Sequence, residues 1–256
     1  MQGHEQEVLD VAWSPDGQQI ASASKDGTIR LWSPTGELQE ILRQDSKEEV
    51  RVNGVAFSPD SNWLASAGDN RQVRLWQRDP KTGQFGRLPP QRLAGHSNWV
   101  LDVEFFPTMG GKQDLFLASA GYDNQIVLWN QQGDPVGRFD QLTDSVSHLS
   151  INPTGELLAT VTWDERLQLW HISEQLLQVW DDHQGRILGI DWHPHGTAIA
   201  TASRDQSVVL WDLQLDRLLK AGCQWLADYG SMGEPTKSPQ NPATLCSTQI
   251  PALKSQ

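Results

Sequence analysis

Histidine, aspartate, a hydroxyl residue and tryptophan recur along this chain at fixed intervals. A histidine between a carboxylate and a hydroxyl is the arrangement that activates a nucleophile. His183, Thr201, Asp205 and Trp211 form one such set, with the hydroxyl ten residues before the tryptophan and the aspartate six before. The same spacing gives Ser22, Asp26 and Trp32 with His4, and Ser119, Asp123 and Trp129, where His96 is displaced by a five-residue insertion. Thr160, Asp164 and Trp170 repeat it with Leu142 in the histidine place. Ser66 and Trp76 repeat it with Asn70 for the aspartate and Glu48 for the histidine. One protein has no use for five nucleophiles, and the hydroxyls fall on runs that read as interior strands. These sets therefore predict buried braces, and no residue is assigned a catalytic role. The second copy, lacking both His and Asp, is expected to have the weakest interior.

Other chemical signals are poor. His193-Pro194-His195 beside Asp191 offers metal-ligand types, but this stretch occupies the place of Trp13-Ser14-Pro15-Asp16-Gly17 and reads as a turn. Gly110-Gly111-Lys112 and Gly233 to Ser238 lack the spacing of a phosphate-binding loop, and HExxH and GxSxG are absent. The sequence predicts no metal and no cofactor.

The elements that carry the sets are short strands. In the first copy Val8, Val11 and Trp13 begin an apolar run, Ile20 to Ser24 is a run of small and branched residues, and Thr28 to Trp32 alternates. Ser14 to Gly17, Lys25 to Gly27 and Thr35-Gly36 supply turn chemistry between them, and Leu38 to Leu42 makes a fourth run. The unit recurs five times, ending on Trp32, Trp76, Trp129, Trp170 and Trp211, with a bare repeat of 41 residues from Trp129 to Trp170 and from Trp170 to Trp211. Polar or Gly- and Pro-rich insertions at 44–50, 79–91 and 107–114 read as lengthened loops. A four-stranded unit of this size cannot bury either face alone, so the copies must stack.

Four strands every 40 residues or so, Gly3-His4 and Gly95-His96 at the starts, Asp-Gly turns and a closing Trp211-Asp212 resemble the WD-repeat family. The resemblance covers Gly3 to Asp212 and implies an all-β propeller of five recognisable four-stranded blades, at about 3–43, 44–93, 94–140, 141–181 and 182–212. It also implies that each sequence repeat shares a strand with the neighbouring blade, and that the His, Ser or Thr, Asp and Trp form a structural tetrad.

Acidic residues outnumber basic ones by 32 to 20, a net charge of -12. Like charge repels nucleic acid and anionic membrane as general partners. The N-terminus lacks the apolar core of a signal peptide, and no run approaches the length of a membrane span. A cytoplasmic protein is expected.

That leaves surface. The residue before strand one and the residue before the turn aspartate should project at one rim. These are Glu7 and Lys25, Arg51 and Asp69, Trp99 and Tyr122, Ser145 and Trp163, and Arg186 and Arg204. Aromatic residues and arginine anchor protein interfaces. Lys25, Arg51, Trp99, Tyr122, Trp163, Arg186 and Arg204 are thus the predicted protein-binding rim of an interaction scaffold or sensor module. The alternative is a small-ligand or glycan-binding propeller that uses the aromatic residues as stacking platforms.

After Trp211, apolar residues at Leu215, Leu218, Leu219, Cys223 and Leu226 have helical spacing, predicting a helix over 213–230 before a disordered tail over 231–256. This segment resembles the closing segment of bacterial, especially cyanobacterial, multidomain WD-repeat proteins. That resemblance implies the C-terminal part of a larger regulatory protein. With no clear outer strand for the last blade, the sequence leaves open a closed five-bladed ring or an open arc prone to self-association.

Overall fold

The computed structural model describes residues 2–44, 50–107, 115–139 and 142–214. Five antiparallel sheets follow one another along the chain. Blade one holds β1 (Val8–Trp13), β2 (Ile20–Ser24), β3 (Thr28–Trp32) and β4 (Leu38–Arg43). Blade two holds β5 (Val52–Phe57), β6 (Trp63–Gly68), β7 (Gln72–Gln77) and β8 (Gln91–Ala94). Blade three holds β9 (Val100–Phe105), β10 (Leu115–Gly121), β11 (Ile126–Asn130) and β12 (Pro135–Phe139). Blade four holds β13 (Val146–Ile151), β14 (Leu157–Thr162), β15 (Leu167–His171) and β16 (Leu176–Trp180). Blade five has β17 (Ile187–Trp192), β18 (Ala198–Ser203) and β19 (Val208–Asp212), three strands among the described residues. Within every sheet the strands pair in chain order as a meander.

Each blade folds as it does because alternate residues of its third strand face opposite neighbours while its second strand is small. Ala21 and Ala23 of β2 and Ala65 and Ala67 of β6 are fully buried and let adjacent sheets come close. The core is not inside any blade but between blades. Ala21, Ala23, Ile29, Leu31 and Leu42 of blade one pack against Val52, Val55, Phe57, Leu64 and Trp76 of blade two. Equivalent clusters fill the next three junctions. Burying a Val, Leu or Ile side chain contributes about 1.5–3 kcal/mol, so each junction outweighs what a single sheet could supply.

The inner strands stand in a row, β1 against β5, β5 against β9, β9 against β13 and β13 against β17. The row is open between its ends. Val11 and Trp13 of blade one are 62% and 57% exposed, whereas their counterparts Val55 and Phe57 are buried. Val208 and Leu210 of blade five are 71% and 73% exposed, whereas Ile29 and Leu31 are fully buried. Among the described residues both end faces are uncovered, as the open arc of the two expected forms requires.

One insertion differs from its sequence reading. The 79–91 segment is not a plain solvent loop: Phe85 is fully buried between blades one and two, edge-on to Phe57 at 5.9 Å. The Glu40 carboxylate accepts the N–H groups of Phe85 and Gly86 at 3.0 and 2.7 Å, pinning the segment to β4. A single aromatic residue outweighed the polarity of its neighbours. The other two insertions fall mostly outside the described residues. So does the expected C-terminal helix, of which only Leu213 and Gln214 are described, both without helical structure, and so does the tail.

The same repeat position should carry opposite energetics in different blades. Leu75→Ala, at a site 1% exposed, is expected to cost about 2–5 kcal/mol. Leu210→Ala should stay within about 0.5 kcal/mol. Urea unfolding of both variants at high dilution measures the difference, and equal losses would contradict an open end at blade five.

Candidate functional site

The recurrent side chains meet as a brace inside each blade. In blade one the loop before β1 brings His4 to the turn after β2. Its Nδ1 lies 2.8 Å from Asp26 Oδ2 and its Nε2 2.7 Å from Ser22 Oγ, while Trp32 Nε1 donates to the same hydroxyl at 2.8 Å. Blade three repeats this with His96 3.0 Å from Asp123, 2.8 Å from Ser119 Oγ, and Trp129 donating to that hydroxyl at 2.8 Å. Blade five repeats it with His183 2.7 Å from both Asp205 and Thr201, and Trp211 at 2.9 Å. Ser66, Ser119, Thr160 and Thr201 are buried, each with its hydroxyl tied to the indole of β3 or its equivalent. The geometry is a clamp between strand two, strand three and the loop before strand one; at the uncovered face of blade one, His4, Ser22 and Trp32 also line a cavity of about 610 Å³.

Carboxylate ionisation belongs to the clamp. Burial pushes the Asp26 carboxyl up, but the Thr28 hydroxyl, the Glu5 N–H and His4 outweigh it and hold the group well below the usual range. Asp123 is likewise held down against burial by His96 and the Ser97 N–H, and Asp205 by Ser207 and His183. Gly121 makes room for the clamp in blade three: a Cβ there would lie 2.9 Å from both Asp123 Oδ1 and His96 Nδ1.

Two blades depart from the pattern, and one corrects the sequence reading. Glu48 lies outside the described residues, but blade two is not empty. Gln44, at the end of β4 and fully buried, accepts the Ser66 hydroxyl through Oε1 at 2.7 Å, and Trp76 donates to Ser66 at 3.0 Å. The Gln44 amide Nε2 donates to the Gln72 carbonyl at 3.4 Å. In blade four Leu142 is buried where the histidine would stand, and Trp170 still reaches Thr160 at 3.2 Å. Asp164 turns instead to the Thr162 hydroxyl and to Arg166 at 3.3 Å. It is blade four, not blade two, whose clamp is reduced to a tryptophan and a hydroxyl among the described residues.

The sequence reading overlooked a second set of polar groups, on the inner strands. Asp10 of β1 accepts the Val55 N–H at 2.8 Å, and from β9 Asp102 and Glu104 accept the Leu149 and Ile151 N–H groups, both at 2.9 Å. These bonds cross from one blade to the next. Burial pushes the Asp10 and Glu104 carboxyls up, and the nearby Asp102 charge adds to both. The signal was present as single carboxylates breaking otherwise apolar runs.

At the rim the predicted pairs are joined through their backbones. Tyr122 donates its N–H to Trp99 O at 2.8 Å, Trp163 to Ser145 O at 2.9 Å, and Arg204 to Arg186 O at 2.9 Å; Lys25 with Glu7 and Asp69 with Arg51 follow the same rule. Trp99, Tyr122 and Trp163, each about two-fifths exposed, form a continuous row with ring centroids 5.6 and 5.3 Å apart. The Arg186 guanidinium lies 3.8 Å from the Trp163 ring centroid and extends the row into blade five. Burial holds the Arg186 pKa below its ordinary value, with the Arg204 charge adding to the effect. Lys25 and Arg51 stand apart, ion-paired to Glu7 and Asp69, and line a cavity of about 620 Å³ that touches the row at Trp99.

His193 and His195 form the expected turn: His193 Nδ1 accepts the His195 N–H at 3.2 Å, and Gly196 N–H bonds His193 O at 2.7 Å. Among the described residues no three His, Cys, Asp or Glu side chains are arranged to hold a metal.

The chain matches the family WD domain, G-beta repeat (WD40) at residues 1–33, 37–77, 88–130, 133–171 and 174–212. The second to fifth matches each begin at the outer strand of one blade and run through the third strand of the next, as the shared-strand expectation requires. Similar proteins include coronin-7 of Bos taurus, 39% identical over 51 residues, 20% of this chain and 6% of that protein. A probable cytosolic iron-sulfur protein assembly protein 1 of Botryotinia fuckeliana is 40% identical over 57 residues, 20% of this chain and 13% of the relative. A ribosome biogenesis protein WDR12 homolog of Drosophila erecta is 26% identical over 154 residues, 59% of this chain and 34% of the relative. The matches thus span about a third or less of these relatives' lengths.

Two opposed carboxylate populations give signed expectations. Asp26, Asp123 and Asp205 have depressed values, so their ionised forms stabilise the fold at neutral pH. That contribution is lost as acid protonates them below the ordinary carboxylate range. His96→Ala, which strips Asp123 and Ser119 of a buried partner, should cost about 1–3 kcal/mol at neutral pH. Glu104 has the opposite sign: its raised value means ionisation opposes folding, and the opposition is relieved as pH falls through the folded value. Glu104→Gln, which keeps an acceptor for Ile151, should therefore raise the melting temperature at neutral pH, with the gain shrinking in mild acid. Thermal melts across pH check both signs.

Proposed function

Because this chain belongs to the WD domain, G-beta repeat family, whose propellers typically act as non-catalytic scaffolds that bind protein partners, we propose that it is itself such a scaffold, the docking or sensor part of a cytoplasmic regulatory assembly. The observation that carries the reading is the row Trp99–Tyr122–Trp163–Arg186, which crosses two blade junctions on one rim. Rings left partly exposed, with an arginine stacked at one end, match the composition of interface hot spots. The blades act as a rigid frame, since each rim residue sits on a strand end or tight turn whose backbone bonds to its partner across the hairpin. Arg186 and Arg204 make no ion pair with a carboxylate among the described residues, so a partner with an acidic group beside an apolar or aromatic segment fits best. The relatives named for ribosome biogenesis and iron-sulfur protein assembly suit a role that assembles other proteins.

The competing reading is a small-ligand or glycan site, for which the ring faces would serve as stacking platforms. A protein-partner screen run beside a glycan array separates the two. The expected result is a protein partner whose binding falls at least tenfold, about 1.4 kcal/mol, in Trp163→Ala, with a melting temperature within a few degrees of the parent. Equal loss of binding and of stability would remove the rim from the reading, and glycan binding alone would favour the alternative.

A further inference from the structure

The open arc ends on two apolar faces, and these are the two halves of a junction the molecule builds four times. On the leading side of a blade, the first, fourth and sixth residues of the inner strand enter the preceding blade's core. Val52, Val55 and Phe57 do so in blade two, and Val8, Val11 and Trp13 are their equivalents in blade one. Val8 is 52% exposed, whereas Val52, Val100, Val146 and Ile187 are fully buried. On the trailing side, Val208 and Leu210 of β19 stand where Ile29, Val73, Ile126 and Leu167, and Leu31, Leu75, Leu128 and Leu169, are buried.

A polar group is in place as well. Glu104 on β9 gives its carboxylate to the Ile151 N–H of the next blade at 2.9 Å. Asp191 holds the same position on β17, is exposed, and uses Oδ1 for its own Trp192 N–H at 2.8 Å. The counterpart of Ile151 on the free leading face is Trp13. A blade-one face docked on blade five would therefore bring the Trp13 N–H to Asp191, while Val11 and Trp13 cover Val208 and Leu210.

We propose that a second copy of this chain is the occupant, docking head to tail so that blade one of one copy continues the stack at blade five of another. The surface complementary to a leading face is a trailing face, demonstrated at four junctions within the chain, and every copy presents one of each. Such an interface is heterologous, with different patches on the two partners, and closes into a ring or extends into a chain of copies. It is independent of the rim.

Sedimentation velocity of the full chain over a wide concentration range tests it. The parent is expected to shift to larger species as concentration rises. Val11→Glu and Val208→Glu should each stay monomeric, because each has lost one half of the junction. Mixed together they should form a one-to-one dimer, since the intact trailing face of Val11→Glu still meets the intact leading face of Val208→Glu. Both substitutions are at exposed sites, and melting curves check that each variant folds; Trp13→Gln and Leu210→Gln serve as a second pair. A parent that is monomeric at every concentration overturns the proposal. Association that survives either variant, or a mixture that does not pair, overturns it too.

Discussion

No blade of this protein has a core of its own. Each is a single meander sheet with two apolar faces, and a face is buried when another blade lies against it. The four hydrophobic clusters accordingly lie at the four junctions, each drawing on both neighbours. Stability in such a stack is close to a sum of blade terms and nearest-neighbour terms. The alanines of the second strands, the branched residues of the third strands and the pinned Phe85 all serve the same end, bringing one sheet close enough to fill the surface of the next.

Polar groups divide into two kinds under that constraint. The clamps act within a blade, tying the loop before strand one to strands two and three around one buried hydroxyl. The inner-strand carboxylates act between blades, where Asp10, Asp102 and Glu104 take backbone N–H groups that the inner edge would otherwise leave unpaired. The first kind surrounds its carboxylate with donors and lowers its pKa. The second is buried, with like charge nearby, and the pKa of Asp10 and Glu104 rises. One chain thus carries carboxylates that resist acid and carboxylates that gain from it.

The proposed function rests on what the stack leaves outside. A frame whose interior is taken up by packing and bracing offers its rim, and there three aromatic rings and an arginine run across three consecutive blades. Catalytic-looking residues lie in the interior, tied to one another.

The sequence by itself determined the repeat, the strands, the clamp positions in blades one, three and five, and the pairing of rim residues across each hairpin. These are local: a period of 41 residues, a turn, and fixed offsets along two adjacent strands specify them. Tertiary structure alone decided that Gln44 completes the clamp of blade two, because the relevant distance is spatial and the expected place in the sequence pointed to Glu48. It decided that Phe85 is buried, since the pocket that receives it belongs to two blades at once. It decided that Trp99, Tyr122, Trp163 and Arg186 make one row, because the angle between neighbouring blades sets which side chains touch. It also decided that, among the described residues, the two end faces are uncovered: equivalent apolar strands are core at four junctions and surface at the two ends, and whether a face is covered depends on its neighbour and not on its own residues.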